Sequence, residues 1–232
     1  MRLAKRMLLW VLVWASHAGA QSSSVERYSG VARSPSGEFL YREQHEVIER
    51  DGRPLRALTV YYDRAGKKLA ELDSDFAASA FAPNYRFLDL RSGKRESAKV
   101  TGLALLLSYA GERKKLDLPE GETLVVGQGM HHFARLNLER LAREPASVRF
   151  AIPSRLDTYA FRIRPLEDAD RRHVRMRIEV DHWLLRQFAP HIEVVYERRT
   201  RRLIEYQGVS NLETPDGDTQ DVVIQYAYPG AA

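Results

Sequence analysis

Val125-Val126-Gly127-Gln128-Gly129-Met130-His131-His132-Phe133, continuing through Ala134 to Arg143, is the stretch on which the fold turns. A short apolar run passes through two glycines into a segment that sets Met130, Phe133 or Ala134, Leu138 and Leu141 at helical spacing, and Pro145 stops it. The spacing predicts a helix over about 130–143. On both sides of it the pattern changes to period two. Downstream, Val148, Phe150 and Ile152 alternate with Arg149 and Ala151, Phe161 and Ile163 with Arg162 and Arg164, and Val174, Met176, Ile178 and Val180 with Arg175, Arg177 and Glu179. Strict alternation buries one face of a strand and wets the other, which is the habit of antiparallel sheet.

Upstream, strand-like segments are separated at hairpin distances. Segment 38–50 meets 55–62 across Asp51-Gly52, a pair that supplies the positive φ of a tight turn. Further turns at Arg64-Ala65-Gly66, Ser92-Gly93 and Ala110-Gly111 mark off segments 67–76, 85–90, 95–101, 103–109 and 113–118, and three more strands are expected over 192–197, 202–206 and 221–228. A second, short helix is expected over about 182–188, with Asp181 as its cap and Pro190 beyond its end. The expected architecture is mainly β: a long curved antiparallel sheet or half-barrel of roughly ten strands around one central helix, in a single domain over 21–232.

Residues 1–20 have the three parts of a secretory signal: Arg2, Lys5 and Arg6, then the apolar MLLWVLVWA, then Ala18-Gly19-Ala20. The apolar run is shorter than the roughly 20 residues that span a bilayer, so export with cleavage is expected, and no stable membrane anchor afterwards. There is no cysteine, so neither disulfides nor lipoprotein acylation is available, and a periplasmic or secreted protein held by its core is the expectation. Without Arg2, Lys5 and Arg6 the 36 basic residues fall to 33 against 31 acidic ones, a net +2 in place of +5. Bulk charge therefore gives no reason to expect nucleic acid as a partner.

Several constellations carry chemistry on paper. Gly127-x-Gly129 before a helix has part of the form of a phosphate-binding turn, but His132 stands where a third glycine belongs, and a tight strand-to-helix turn is the simpler reading. His131 and His132 diverge by about 100° on a helix, so one metal cannot take both as an i, i+4 pair would; His45, His173, His182 or His191 would have to join. No metal or cofactor is expected. One histidine of the pair is expected to pack under the sheet and the other to be exposed. No G-x-S-x-G or S-x-x-K occurs, and Asp181-His182 with Ser210 has no spacing that argues for a triad; Ser210-Asn211 reads as a turn.

If the alternating strands of the second half are neighbours, Arg149, Arg162, Arg164, His173, Arg175 and Arg177 share the wet face, which needs either acids such as Glu179, Glu193 and Glu197 or an anionic partner between them. Candidate ligand-binding residues are thus His131, His132, Phe133, Trp183, Arg162, Arg164, Arg175 and Arg177. Val60-Tyr61-Tyr62-Asp63-Arg64 with Lys67-Lys68-Leu69 also lies over Val194-Val195-Tyr196-Glu197-Arg198 with Arg201-Arg202-Leu203 without a gap, as a duplicated hairpin or as common turn chemistry.

The runs APHIEVVYERRTRRLIEYQGVSNL (189–212), IPSRLD (152–157) and GQGMHHF (127–133) resemble an uncharacterised family of exported proteobacterial proteins, for which no activity carries over. In outline, the meander with an inserted helix is similar to the half-barrels of lipoprotein carriers, which implies an apolar cavity plugged by a helix. The expectation is a non-enzymatic periplasmic binding or envelope-maintenance protein holding an apolar, lipid-like or anionic envelope ligand. The alternatives are an envelope hydrolase using a histidine and a carboxylate, and a structural interaction module.

Overall fold

The computed structural model describes residues 23–118, 120–167, 171–182 and 190–230. The signal-like segment 1–20, Trp183 and the helix expected over about 182–188 lie outside the described residues. In the first half the strands are β1 (Ser23–Arg33), β2 (Phe39–Arg50), β3 (Arg53–Tyr62), β4 (Lys68–Asp75), β5 (Asn84–Asp89), β6 (Arg95–Thr101), β7 (Ala104–Tyr109) and β8 (Glu112–Asp117). Strand β9 (Leu124–Val126) leads into helices α1 (Gly129–Leu136) and α2 (Leu138–Leu141). The second half holds β10 (Ala146–Ile152), β11 (Asp157–Pro165), β12 (His173–Val180), β13 (Ile192–Glu197), β14 (Leu203–Val209) and β15 (Asp221–Ala227).

Fifteen described strands form one sheet in the order β8-β7-β6-β5-β4-β3-β2-β1-β15-β14-β13-β12-β11-β10-β9. Every pairing is antiparallel except β9 with β10. The two halves run outward from a central seam, β1 against β15, with Ser29 opposite Ala227 and Arg33 opposite Val223. The sheet then curls, so that the 3-10 turn Pro153–Arg155 packs against β6 and β7, and Lys114 of β8 lies 3.2 Å from Asp157 of β11. No helix among the described residues is long and apolar enough to cross a membrane.

The sheet has fifteen described strands where roughly ten were expected overall; the segments read from the sequence match thirteen of them, and of the other two, β9 and β1, β1 is the one whose pattern hides it. Its buried positions, Tyr28, Gly30 and Ala32, include two of the smallest residues, so the alternation carries little hydrophobic signal. The small residues answer a geometric need. A Cβ on Gly30 would stand 2.9 Å from the side chains of both Ile224 and Tyr226 and 3.1 Å from the Glu43 carboxylate. The Asp51-Gly52 turn is as expected, with φ of 51° and 74°.

The central helix is two pieces. Asn137 leaves helical geometry at φ −107° and its amide donates to the Phe133 carbonyl at 2.9 Å, the side-chain competition that makes asparagine a poor interior helix residue. Both pieces sit on the concave side. Phe133, Ala134, Leu138 and Leu141 are buried among Val148, Ile163, Met176 and Tyr196. A second apolar cluster, around Tyr41, Tyr61, Phe87, Leu105 and Leu107, fills the first half.

The apparent duplication does not survive in three dimensions. In the gapless overlay Tyr62 matches Tyr196, yet Tyr196 is buried at 1% exposure whereas the buried tyrosine of the first hairpin is Tyr61. The turns also differ, since Asp63 N–H donates to the Lys67 carbonyl but Glu197 N–H donates to that of Arg202, one residue further on. The likeness is one of residue types around a chain reversal and does not extend to which tyrosine is buried or to how the turn is closed.

Because Gly30 sets the spacing of the seam, Gly30→Val is expected to lower stability by about 2 kcal/mol or more through overpacking. Urea denaturation checks it; an unchanged midpoint contradicts the close packing of β1 on β15.

Candidate functional site

The turn into α1 is closed by packing. Gly127, at φ +47°, turns its open side to the Tyr85 ring, which a Cβ would meet at 2.6 Å; a Cβ on Gly129 would collide with the Phe81 carbonyl at 1.8 Å. Val126 N–H donates to that same carbonyl at 3.0 Å. The glycines therefore let the backbone pass between Tyr85 and Phe81, as a tight strand-to-helix turn requires.

Both histidines point inward, against the expectation that one is exposed. The two rings meet edge to face at 5.1 Å. His131 lies parallel to Tyr196 with ring centres 5.6 Å apart, and its Nδ1 is joined to the Tyr196 hydroxyl at 2.9 Å. His132, at 2% exposure, packs edge-on against Phe76 at 4.7 Å. Phe133, third in this run, is buried against Phe81 at 5.2 Å and belongs to the core. Burial holds the His131 imidazole well below its ordinary range, helped by His132, Arg135 and His45. For His132, burial and then Arg135 bring the value down to about 3. These are neutral core histidines. Among the described residues no three His, Asp or Glu side chains are grouped to hold a metal ion.

Beneath α1 lies a polar chain. Gln128 Nε2 donates to Thr59 Oγ1 at 2.8 Å, Thr59 Oγ1 is 2.8 Å from His45 Nδ1, and His45 Nε2 is 3.0 Å from Glu43 Oε2. The Tyr226 hydroxyl donates to the same Glu43 oxygen at 3.3 Å. Glu43 as a carboxylate accepts from Nε2, and in the neutral imidazole Nδ1 is then the acceptor for the threonine hydroxyl. Hydroxyl, imidazole and carboxylate thus stand in the order of a nucleophilic triad, with Thr59 only 1% exposed under the helix. Tyr28 stacks on His45 at 4.4 Å, and Tyr228 on Tyr28 at 4.8 Å. Glu43 and His45 are two residues apart on a strand and so share a face. That signal is in the sequence; the partnership with Thr59 and Gln128 is fixed by register and helix placement.

Arg135, in the last turn of α1, ties the helix to the seam. Its Nη1 lies 2.7 Å from Glu49 on β2 and 3.9 Å from Glu26 on β1. Arg202 holds Glu26 from the other half at 3.0 Å, with its guanidinium 4.6 Å above the Tyr228 ring.

The second-half arginines do share the outer face, and acids are interleaved with them. Arg164 pairs with Glu179 at 3.3 Å, while Glu193 takes both Arg177 at 2.6 Å and Arg175 at 3.6 Å. Arg162 is opposite Glu179 in register, and Arg149 is held by Glu122 at 2.6 Å. Glu197 instead meets Thr200. Asp181 accepts from Ser147 at 2.9 Å, and Ser210 bonds Tyr41 at 2.8 Å and Leu212 N–H at 2.9 Å, the turn role expected for it. A trough of about 580 Å³ crosses the seam, lined by Arg27, Gln44, Glu46, Leu58 and Val60 among others and reaching His45 and Tyr228. Its lining residues mostly alternate with buried positions, which places it on the outer face.

The unfolded His132 takes a proton near pH 6.5 that the folded one refuses until about pH 3, so the stability it lends is whole above pH 6.5 and is lost as pH falls toward 3. Between pH 7 and 5 this residue alone removes about 2 kcal/mol, and His132→Phe is expected to flatten the urea-measured pH profile by that amount. An unchanged slope contradicts neutral burial.

No family model matches the chain, and no curated protein matches it. Among solved structures, the chain is similar to a beta-barrel-like protein of the domain of unknown function DUF1849 from Brucella abortus, at 9% identity and a TM-score of 0.44 over 90% of this chain and 97% of that one. It is also similar to a DUF1329 family protein from Desulfovibrio piger, at 11% identity and a TM-score of 0.21 over 92% and 88% of the two chains. The structure neighbours are bacterial proteins of unknown function.

Proposed function

We propose that the chain is a non-enzymatic binding protein of the cell envelope that meets its partners with its outer surface. One observation carries the reading: the concave side of the sheet, where a lipid carrier holds its ligand, is occupied by the chain's own helices, with Leu138, Leu141 and His132 at 1%, 0% and 2% exposure. The outer face of the second half carries interleaved charges, Arg164 with Glu179 and Arg177 with Glu193, where a transmembrane barrel has an apolar outer band facing lipid. The signal-like N-terminal segment supports export. Native mass spectrometry with lipid extraction, on protein purified from an exporting host, is expected to find the bare chain mass. A stoichiometric co-purifying lipid contradicts the reading and returns the concave side to a carrier role.

The Thr59–His45–Glu43 chain favours a second reading, a hydrolase using a histidine and a carboxylate. The carboxylate partner belongs to His45, whereas His131 bonds Tyr196 and His132 packs on Phe76. A nucleophile 1% exposed needs α1 to move before a substrate reaches it. Incubation with a fluorophosphonate probe separates the two readings: no labelling is expected, and labelling abolished by Thr59→Val establishes the hydrolase instead.

A further inference from the structure

In contrast to the paired arginines of the second half, several exposed cations of the first half have no ion-pair partner among the described residues. On β6, β7 and β8 the inward positions are Ala98, Leu105 and Leu107, at 1%, 0% and 1% exposure. Alternation therefore sends Arg95 and Lys99 of β6, Leu106 of β7, and Arg113 and Lys115 of β8 outward. The register sets Lys99 against Leu106 and Leu106 against Lys115, so a leucine stands between two lysines in one row across three strands. With strands about 4.8 Å apart, the two lysine backbones are about 10 Å from each other. One row along, Ser97 faces Ser108, which faces Arg113.

All four cations are exposed, and none has an ion-pair partner among the described residues. The nearest acid on this face is Asp117, opposite Ala104 at the end of β8; Glu112 stands at the other end of the strand, opposite Tyr109. At the β6–β7 turn, just beyond Gly102, Leu103 is 85% exposed, while Leu106 in the lysine row is 39% exposed. A large apolar side chain held in water at the tip of a turn, beside a row of unneutralised cations, matches the chemistry of an interface that meets phosphate headgroups with ammonium and guanidinium groups and hydrocarbon with leucine.

We propose that the outer face of β6–β8, with the Leu103 turn, docks on an anionic phospholipid surface. Lys99, Lys115, Arg95 and Arg113 supply the attraction, and Leu103 and Leu106 supply the shallow insertion. The face is convex and two-dimensional, as a headgroup plane requires, and the edge strand β8 leaves it open on one side. This assignment rests on the outer surface being the working part of the molecule. The two claims fail separately, since vesicle binding is measured on the outside and bound lipid by mass on the inside.

The test is co-flotation of the purified exported chain with phosphatidylcholine vesicles, with and without phosphatidylglycerol. Flotation is expected only with phosphatidylglycerol. Lys99→Glu/Lys115→Glu is expected to weaken it by about thirtyfold or more, given the usual contribution of each cation near an anionic bilayer. Leu103→Ser keeps the chain folded, because the side chain packs on nothing, and is expected to weaken binding about tenfold. Arg56→Glu, which alters charge by the same sign on β3, is expected to leave binding within about twofold. Equal flotation with both vesicle types, no effect of the lysine pair, or an equal loss with Arg56→Glu each overturns the proposal. So does self-association through β8 that removes flotation.

Discussion

The pairing of β1 with β15, Ser29 opposite Ala227 through Arg33 opposite Val223, joins two meanders into one sheet. Each half of the chain makes its own meander, and without the seam each leaves a long open edge, a liability for any sheet. Joining the first and last described strands moves the free edges to β8 and β9, which are close in sequence, and the sheet curls until Lys114 of β8 meets Asp157 at the start of β11. Gly30 makes the seam tight enough for Tyr226 and the Glu43 carboxylate to share the space behind it. Glu26, held by Arg202 from one half and approached by Arg135 from the helix, couples both halves to α1. Closure of the sheet and seating of the helix are one event.

That event determines what the concave side is able to do. The polar groups it buries are satisfied mostly by each other: Gln128, Thr59, His45, Glu43 and Tyr226 form one chain from helix to sheet. Burying such groups is tolerable when they are hydrogen-bonded, and it then fixes one arrangement of the helix, since a shift of α1 breaks the Gln128–Thr59 link and strands a buried hydroxyl. His131 and His132 reinforce this while neutral. The interior is thus specific without being accessible, and the surfaces left for work are the outer faces and the turns.

What was legible in the sequence was local. The Asp51-Gly52 hairpin, the alternation of Val174, Met176, Ile178 and Val180, and the helical spacing of Leu138 and Leu141 are short-range patterns, and each predicts its element. Three things needed contacts distant in sequence. The strand β1 is silent because its inward residues are small. The Thr59–His45–Glu43 chain depends on the register of β2 against β3 and on where α1 lands. The arginine ladder of the second half looks electropositive in one dimension, but the register interleaves Glu179 and Glu193 and neutralises much of it, leaving the unpaired cations on β6 and β8, where no regular pattern of a single residue type marked them.

Native-state hydrogen exchange shows whether the helix is a fixed part of the core or a lid over a usable cavity. The amides of α1 are expected to exchange only with global unfolding, at the same free energy as those of β1 and β15. Exchange of α1 at substantially lower free energy, while the seam strands stay protected, would contradict a fixed helix and make the concave side an openable site.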